Sequence, residues 1–132
     1  MREILFRGKR KDNGEWLKGD LLQNVDCLKI REQEKSINQT ARSFEVIPET
    51  VGQYTGLNDK NGKKIFEGDI VKLSYKDGFE IGLIGWSNID VRYKFASPDG
   101  TAYGIDVTDT FEVIGNIHDN PEFLKGGADN DI

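Results

Sequence analysis

Residues 54–73, Tyr54-Thr55-Gly56-Leu57-Asn58-Asp59-Lys60-Asn61-Gly62-Lys63-Lys64-Ile65-Phe66-Glu67-Gly68-Asp69-Ile70-Val71-Lys72-Leu73, decide the fold. Asn61-Gly62 sits between two short apolar stretches, and that dipeptide accepts the positive φ values a tight hairpin turn needs. Gly68-Asp69 then leads into 70–75, where apolar and polar residues alternate as they do in a half-buried strand. An earlier segment has the same grammar. Phe6-Arg7-Gly8 is followed after four residues by Asn13-Gly14, and after four more by Gly19-Asp20-Leu21. Tyr54-Thr55-Gly56 reaches Asn61-Gly62 at the identical spacing, and Gly68-Asp69-Ile70 one residue later. In both, an aromatic caps a core, the first glycine permits a bulge or close approach, and Asn-Gly turns the chain. Turn residues recur in any β protein, so the echo is read as shared turn chemistry, with two related substructures as the alternative.

Working outward, strands are expected at 3–8, 15–22, 25–31, 43–47, 63–66, 70–75, 79–86, 90–95 and 111–117, with 101–106 as an edge strand and 52–58 leading into the second polar turn. Lys76-Asp77-Gly78 and Ser97-Pro98-Asp99-Gly100 are turn signals. Pro48 ends a strand and opens a short turn or helical step. Residues 32–42 are polar without an apolar stripe and are expected as an exposed loop. Residues 118–125 are expected as a short helix with Asn120 as N-cap and Pro121 at its first position.

The expectation is an all-β fold of many short antiparallel strands with little helix. An N-terminal β subdomain spans 1–50, a barrel-like β subdomain 51–125, and 126–132 is a frayed tail. In the second, Glu67-Gly68-Asp69 entering an alternating strand, an Asp77-Gly78 turn and a glycine-spaced strand ending at Trp86 suit an SH3-like barrel, an architecture that hosts many roles.

The chain has 132 residues, 36% hydrophobic and 31% charged, with 10% aromatics. Such aromatic content excludes a disordered type. The net charge of −5 argues against non-specific DNA binding, which draws its affinity from neutralising phosphates. Six basic and three acidic residues give 1–18 a charge of +3, which leaves −8 for the rest. The lone cysteine, Cys27, precludes an internal disulfide and is expected as a buried small hydrophobe in a reducing compartment. Without a signal-like N-terminal apolar run or a long apolar stretch, a cytoplasmic location is expected, with no membrane partner.

Candidate chemistry is sparse. His118 is the one histidine, and it sits beside a helix start where a structural role is usual. One cysteine and one histidine cannot make a structural zinc site, so no metal and no cofactor are expected. Asp20 and Asp69 occupy equivalent places in the echo and are the best carboxylate pair for a small hydrolase. Each follows a glycine, however, and capping a turn amide is the ordinary role there. No catalytic residue is assigned. Lys9, Arg10 and Lys11 on one turn and Lys60, Lys63 and Lys64 around the other are candidate contacts for an anion or nucleic acid. Trp16, Tyr54, Phe66, Tyr75 and Trp86 are candidate stacking faces. The competing reading makes the lysines solubilising and the aromatics core.

Residues 47–57 (IPETVGQYTGL), 59–62 (DKNG) and 65–71 (IFEGDIV) resemble the YopX proteins of phages and prophages of Gram-positive bacteria. Phe6-Arg7-Gly8-Lys9 with Trp16 and Gly19-Asp20, and 113–122 (VIGNIHDNPE), are similar to that family too. The resemblance covers nearly the whole chain, while 28–43 matches no pattern. It implies an all-β accessory protein of a mobile element acting in the host cytoplasm, and carries over no catalytic residue. The expected function is therefore non-enzymatic binding of a host or phage protein, or of a second copy of the chain. Nucleic-acid binding through the basic tips is the alternative, and a hydrolase using Asp20 and Asp69 the third.

Overall fold

A computed structural model of the chain describes residues 3–32, 42–106 and 110–124. Its strands in chain order are β1 (Phe6–Lys9), β2 (Trp16–Gln23), β3 (Leu28–Glu32), β4 (Ser43–Val46), β5 (Gly52–Asn58), β6 (Lys64–Phe66), β7 (Asp69–Tyr75), β8 (Gly78–Ser87), β9 (Arg92–Ala96), β10 (Ala102–Gly104) and β11 (Phe111–Asn116). All the registered pairings are antiparallel. The expected all-β fold with little helix holds. The chain divides into two compact units, Met1–Tyr54 and Thr55–Ile132.

In the first unit the strands lie in the order β4-β3-β2-β1, and β1 pairs on its other side with the start of β5 through Phe6↔Gln53 and Arg7↔Gly52. Register sets Leu21 opposite Ile30, Ile30 opposite Phe44, and Leu28 opposite Val46. Alternation thus collects Leu17, Ile30 and Val46 into a buried core, flanked by Phe6, Leu21, Leu28, Phe44 and Val51. Gly8 admits this packing, because a Cβ there would lie 3.2 Å from that of Val46. After β4 a single 3-10 turn, Pro48–Thr50, is locked by Thr50. Its hydroxyl donates to Ile47 O at 2.6 Å and accepts the Lys9 N–H at 2.9 Å.

In the second unit a five-stranded sheet runs β10-β9-β8-β7-β11. Its inward positions bury Val71, Leu73, Ile84, Phe95 and Phe111 with Ile65 of β6. Gly82 makes room for Phe95, since a Cβ there would meet the phenyl ring at 2.6 Å. β11 shifts register between Val113 and Gly115.

Four expectations change in detail. The strand expected over 25–31 begins at Leu28, because 24–27 form the turn closed by Asn24 N–H to Cys27 O at 2.9 Å; Val25 is fully exposed on it. Cys27, expected buried, is half-buried, with the Asn24 amide 3.8 Å from its sulfur. At both Asn-Gly sites only the glycine takes positive φ, 74° at Gly14 and 82° at Gly62; each loop is longer than a two-residue turn, so the asparagine stays in ordinary space. The helix expected over 118–125 is described over 122–124, so it starts later than expected. The Asn120 side chain turns back to accept the Asn116 N–H at 3.3 Å beside the Gly115 bulge. The polar loop from 33 to 41 and the tail 126–132 lie outside the described residues.

Candidate functional site

The second unit carries an open cleft of about 430 Å³ lined by Leu73, Tyr75, Phe95, Tyr103, Gly104 and Phe111. Its construction follows from register. β7 and β8 pair Leu73 with Glu80 and Tyr75 with Gly78, so Leu73, Tyr75 and Glu80 share one face. β11 brings Phe111 opposite Leu73, and β10 brings Tyr103 opposite Phe95. Phe95, 1% exposed, is the floor. Tyr103 stacks on it at 5.8 Å between ring centroids, and Phe111 lies 6.0 Å away on its other flank. Tyr75 and Tyr103 remain 47% and 38% exposed and form the rim.

Glu80 ties that rim together. The Tyr103 hydroxyl donates to its carboxylate at 3.2 Å and 3.3 Å to the two oxygens. Its hydrogen bond with Tyr75 is the main cause that drives that phenol well above its usual range. Tyr103 is raised too, by burial first and by the Glu80 contact second. Both phenols are therefore neutral donors at any physiological pH, and the site presents aromatic walls, two hydroxyls and a carboxylate. The basic residues of the same strands turn away from it. Lys72 lies over the Phe79 ring at 4.5 Å, Lys94 pairs with Asp90, and Arg92, on the same face as Lys94, packs against the back of Gly104.

The residues singled out from sequence fall elsewhere. In the first unit Arg10 makes a two-pronged bond to Asp12, at 2.9 Å and 2.7 Å, and stacks over Phe44 at 4.0 Å. Lys11 pairs with Glu45 at 3.1 Å. A smaller hollow of about 210 Å³ lies among Lys11, Asp12, Phe44 and Glu45, so its cations already face carboxylates. Lys9 lies 5.5 Å from the Trp16 ring centre, with Arg7 at 4.9 Å on the same indole. In the second unit Lys60 reaches Glu112 at 3.6 Å, Lys63 is exposed and Lys64 half-buried. Of the candidate stacking faces, Tyr54 and Phe66 are buried in the core, Trp86 packs edge-on against Tyr93 at 5.0 Å, and Tyr75 alone lines the cleft.

Asp20 is exposed in the middle of β2. Asp69 is 1% exposed and accepts the Phe66 N–H at 2.8 Å, a cap on its own turn. His118 is exposed, and its backbone N–H donates to Asn116 Oδ1 at 3.0 Å. Among the described residues no group of three or more His, Cys, Asp or Glu is placed to hold a metal ion.

Glu80, Phe95, Tyr103 and Phe111 were not anticipated. One signal was available: the Ser97-Pro98-Asp99-Gly100 turn bonds Ser97 N–H to Thr101 O at 2.8 Å, and counting back from that pair sets Phe95 against Tyr103.

Comparison with known proteins agrees with the fold. The family model for YopX proteins matches residues 5–125. The crystal structure of protein EF1440 from Enterococcus faecalis superposes with a TM-score of 0.57 at 24% identity, over 94% of this chain and 99% of that one. A search of curated proteins finds no match. Among the described residues no helix is long and apolar enough to cross a membrane.

Proposed function

The chain belongs to the YopX family, and from that premise we propose that it is a non-enzymatic protein-binding module, an accessory protein of a phage or prophage working in the bacterial cytoplasm, with its cleft set on a small SH3-like barrel. One observation carries the reading: an open aromatic cleft whose rim tyrosines are partly exposed above a buried phenylalanine floor. Tyrosine is enriched at protein interfaces because it offers a large rigid apolar face with a polar tip. A pocket of a few hundred cubic ångströms with convergent polar groups is the usual form of a recognition site. Nucleic-acid binding draws less support, because Arg10, Lys11 and Lys60 all face carboxylates.

The test is a pull-down from host and phage lysate with the wild-type chain and with Tyr103→Ala, alongside the solution mass of each. A partner, or a dimer, held by wild type and lost from Tyr103→Ala supports the reading. A partner held equally by both removes the cleft from it. A monomer that captures nothing sinks the binding module altogether.

A further inference from the structure

We infer that the cleft of the five-stranded sheet receives a basic side chain, arginine or lysine, from an extended segment of a protein partner. The inference rests on the docking reading above and specifies its chemistry.

The carboxylate comes first. Glu80 lies behind the rim rather than in the lining, and its partners among the described residues are the neutral phenols of Tyr75 and Tyr103. Two phenols satisfy hydrogen bonds but do not neutralise a charge. An anionic ligand is repelled here, and a purely aliphatic one strips water from the carboxylate without replacing it. A cation compensates it. The chain's own cations on neighbouring strands do not, because register sends Lys72, Arg92 and Lys94 to the opposite face, where Arg92 packs against the far side of Gly104.

The walls come second. The rings of Tyr75, Phe95, Tyr103 and Phe111 surround the space. Aromatic faces are electronegative and attract a cation lying over them, more strongly when water is excluded. Lysine and arginine also carry apolar stems that pack along such walls while the head reaches the carboxylate. The planar guanidinium can stack on a ring and bond a carboxylate together, so arginine is favoured over lysine.

The edge comes third. β10 ends the row of strands, and Tyr103 and Gly104 on it line the cleft. A segment laid along an edge strand projects alternate side chains to one face, which delivers its basic residue beside Glu80.

The probes are three peptides, acetyl-Gly-Ser-Xaa-Ser-Gly-amide with arginine, norleucine or glutamate at Xaa, titrated into the isotope-labelled full chain while its amide resonances are followed. The arginine peptide is expected to shift Leu73, Tyr103 and Gly104 saturably, and the norleucine and glutamate peptides to bind at least tenfold more weakly. Glu80→Gln keeps an acceptor for the phenols and removes the charge, so it should abolish the preference for arginine while the remaining resonances show an intact fold. Equal binding of the arginine and norleucine peptides overturns the basic occupant and leaves docking at the cleft standing. No shift at these residues with any peptide also overturns it, even where the pull-down finds a Tyr103-dependent partner. The docking reading itself falls if capture ignores Tyr103, or if a monomeric chain captures nothing.

Discussion

The two hairpins that share their letters are built differently. At the β1–β2 tip Asn13 Oδ1 accepts the Glu15 N–H at 2.9 Å, and Arg10 closes the loop by donating its N–H to Glu15 O at 2.8 Å. Residues 11–15 there are exposed, and Arg10 is half-buried. At the β5–β6 tip the place of Lys11 is taken by Asp59, which is 7% exposed. One of its carboxylate oxygens accepts the N–H groups of Asn61 and Lys63, each at 2.9 Å, and the other accepts that of Val113 at 3.0 Å. Lys60 N–H adds a bond to Phe111 O at 2.9 Å. Each tip also bonds a neighbouring strand through its backbone, the first to β4 by Lys11 N–H to Glu45 O at 3.0 Å, but only the second is riveted by a buried carboxylate, to β11, which supplies Phe111 to the cleft. The Gly-Asp steps diverge likewise. Gly19 is paired in mid-strand where a Cβ would overlap the Arg31 carbonyl, and Asp20 is exposed beside it. Gly68 takes φ 89° in a turn that the buried Asp69 caps. Similar spacing shows where a chain turns, and one buried carboxylate decides whether that turn supports the fold.

The largest effect that separates the two belongs to Asp59. Asp59→Ala leaves three backbone donors without their acceptor and should cost about 3 kcal/mol in denaturant unfolding. Lys11→Ala, at the matching place, should cost less than about 0.5 kcal/mol, as exposed ion pairs do. Near-equal losses would break the contrast. Acid sharpens it. Burial alone pushes the Asp59 carboxyl up, but the amides of Val113, Lys63 and Asn61 outweigh it and hold the group below its ordinary value. Its stabilisation is therefore full above about pH 4, the unfolded value, and is lost as pH falls through the lower folded value. Asp59→Asn should flatten that part of the stability curve.

Next comes the Gly-Asp step. Asp69→Ala removes a buried cap and should cost about 2 kcal/mol, while Asp20→Ala should be neutral within error. Thermal unfolding of the two variants side by side measures this, and a costly Asp20→Ala would mean the step is structural in both units.

The smallest effect runs the other way. Asn13→Ala loses the side-chain bond to Glu15 and should cost about 0.5 kcal/mol. Asn61→Ala should cost less, because at that tip Asp59 holds the turn. Urea midpoints resolve the order, and a larger loss at Asn61 would contradict the division of labour between the two tips.

Much of the fold was legible because it rests on local rules. Alternation marked 70–75, and β7 runs Asp69–Tyr75. Ser97-Pro98-Asp99-Gly100 turns as its residues demand, with Gly100 at φ 96° and Asp99 Oδ1 accepting the Thr101 N–H at 2.8 Å. Where local rules erred, a longer turn had taken residues from a strand, as at Val25, or a side chain had turned back to the preceding strand, as at Asn120. The candidate site was less legible. The basic tips stood out in sequence by charge, and the fold sets carboxylates against three of those cations. Glu80, Phe95, Tyr103 and Phe111 were inconspicuous because each is an ordinary strand residue until strand pairing gathers them.

By itself the sequence determined the class: short alternating strands, glycine-bearing turns and a family pattern across 5–125. These follow from backbone sterics and the two-residue period of a strand, which act over a few residues. Only the tertiary structure decided that Asp59 is a rivet and Lys11 a surface charge, and that four rings and one carboxylate meet in a cleft. Such meetings depend on register between strands distant in sequence, and register is set by the joint burial of many side chains.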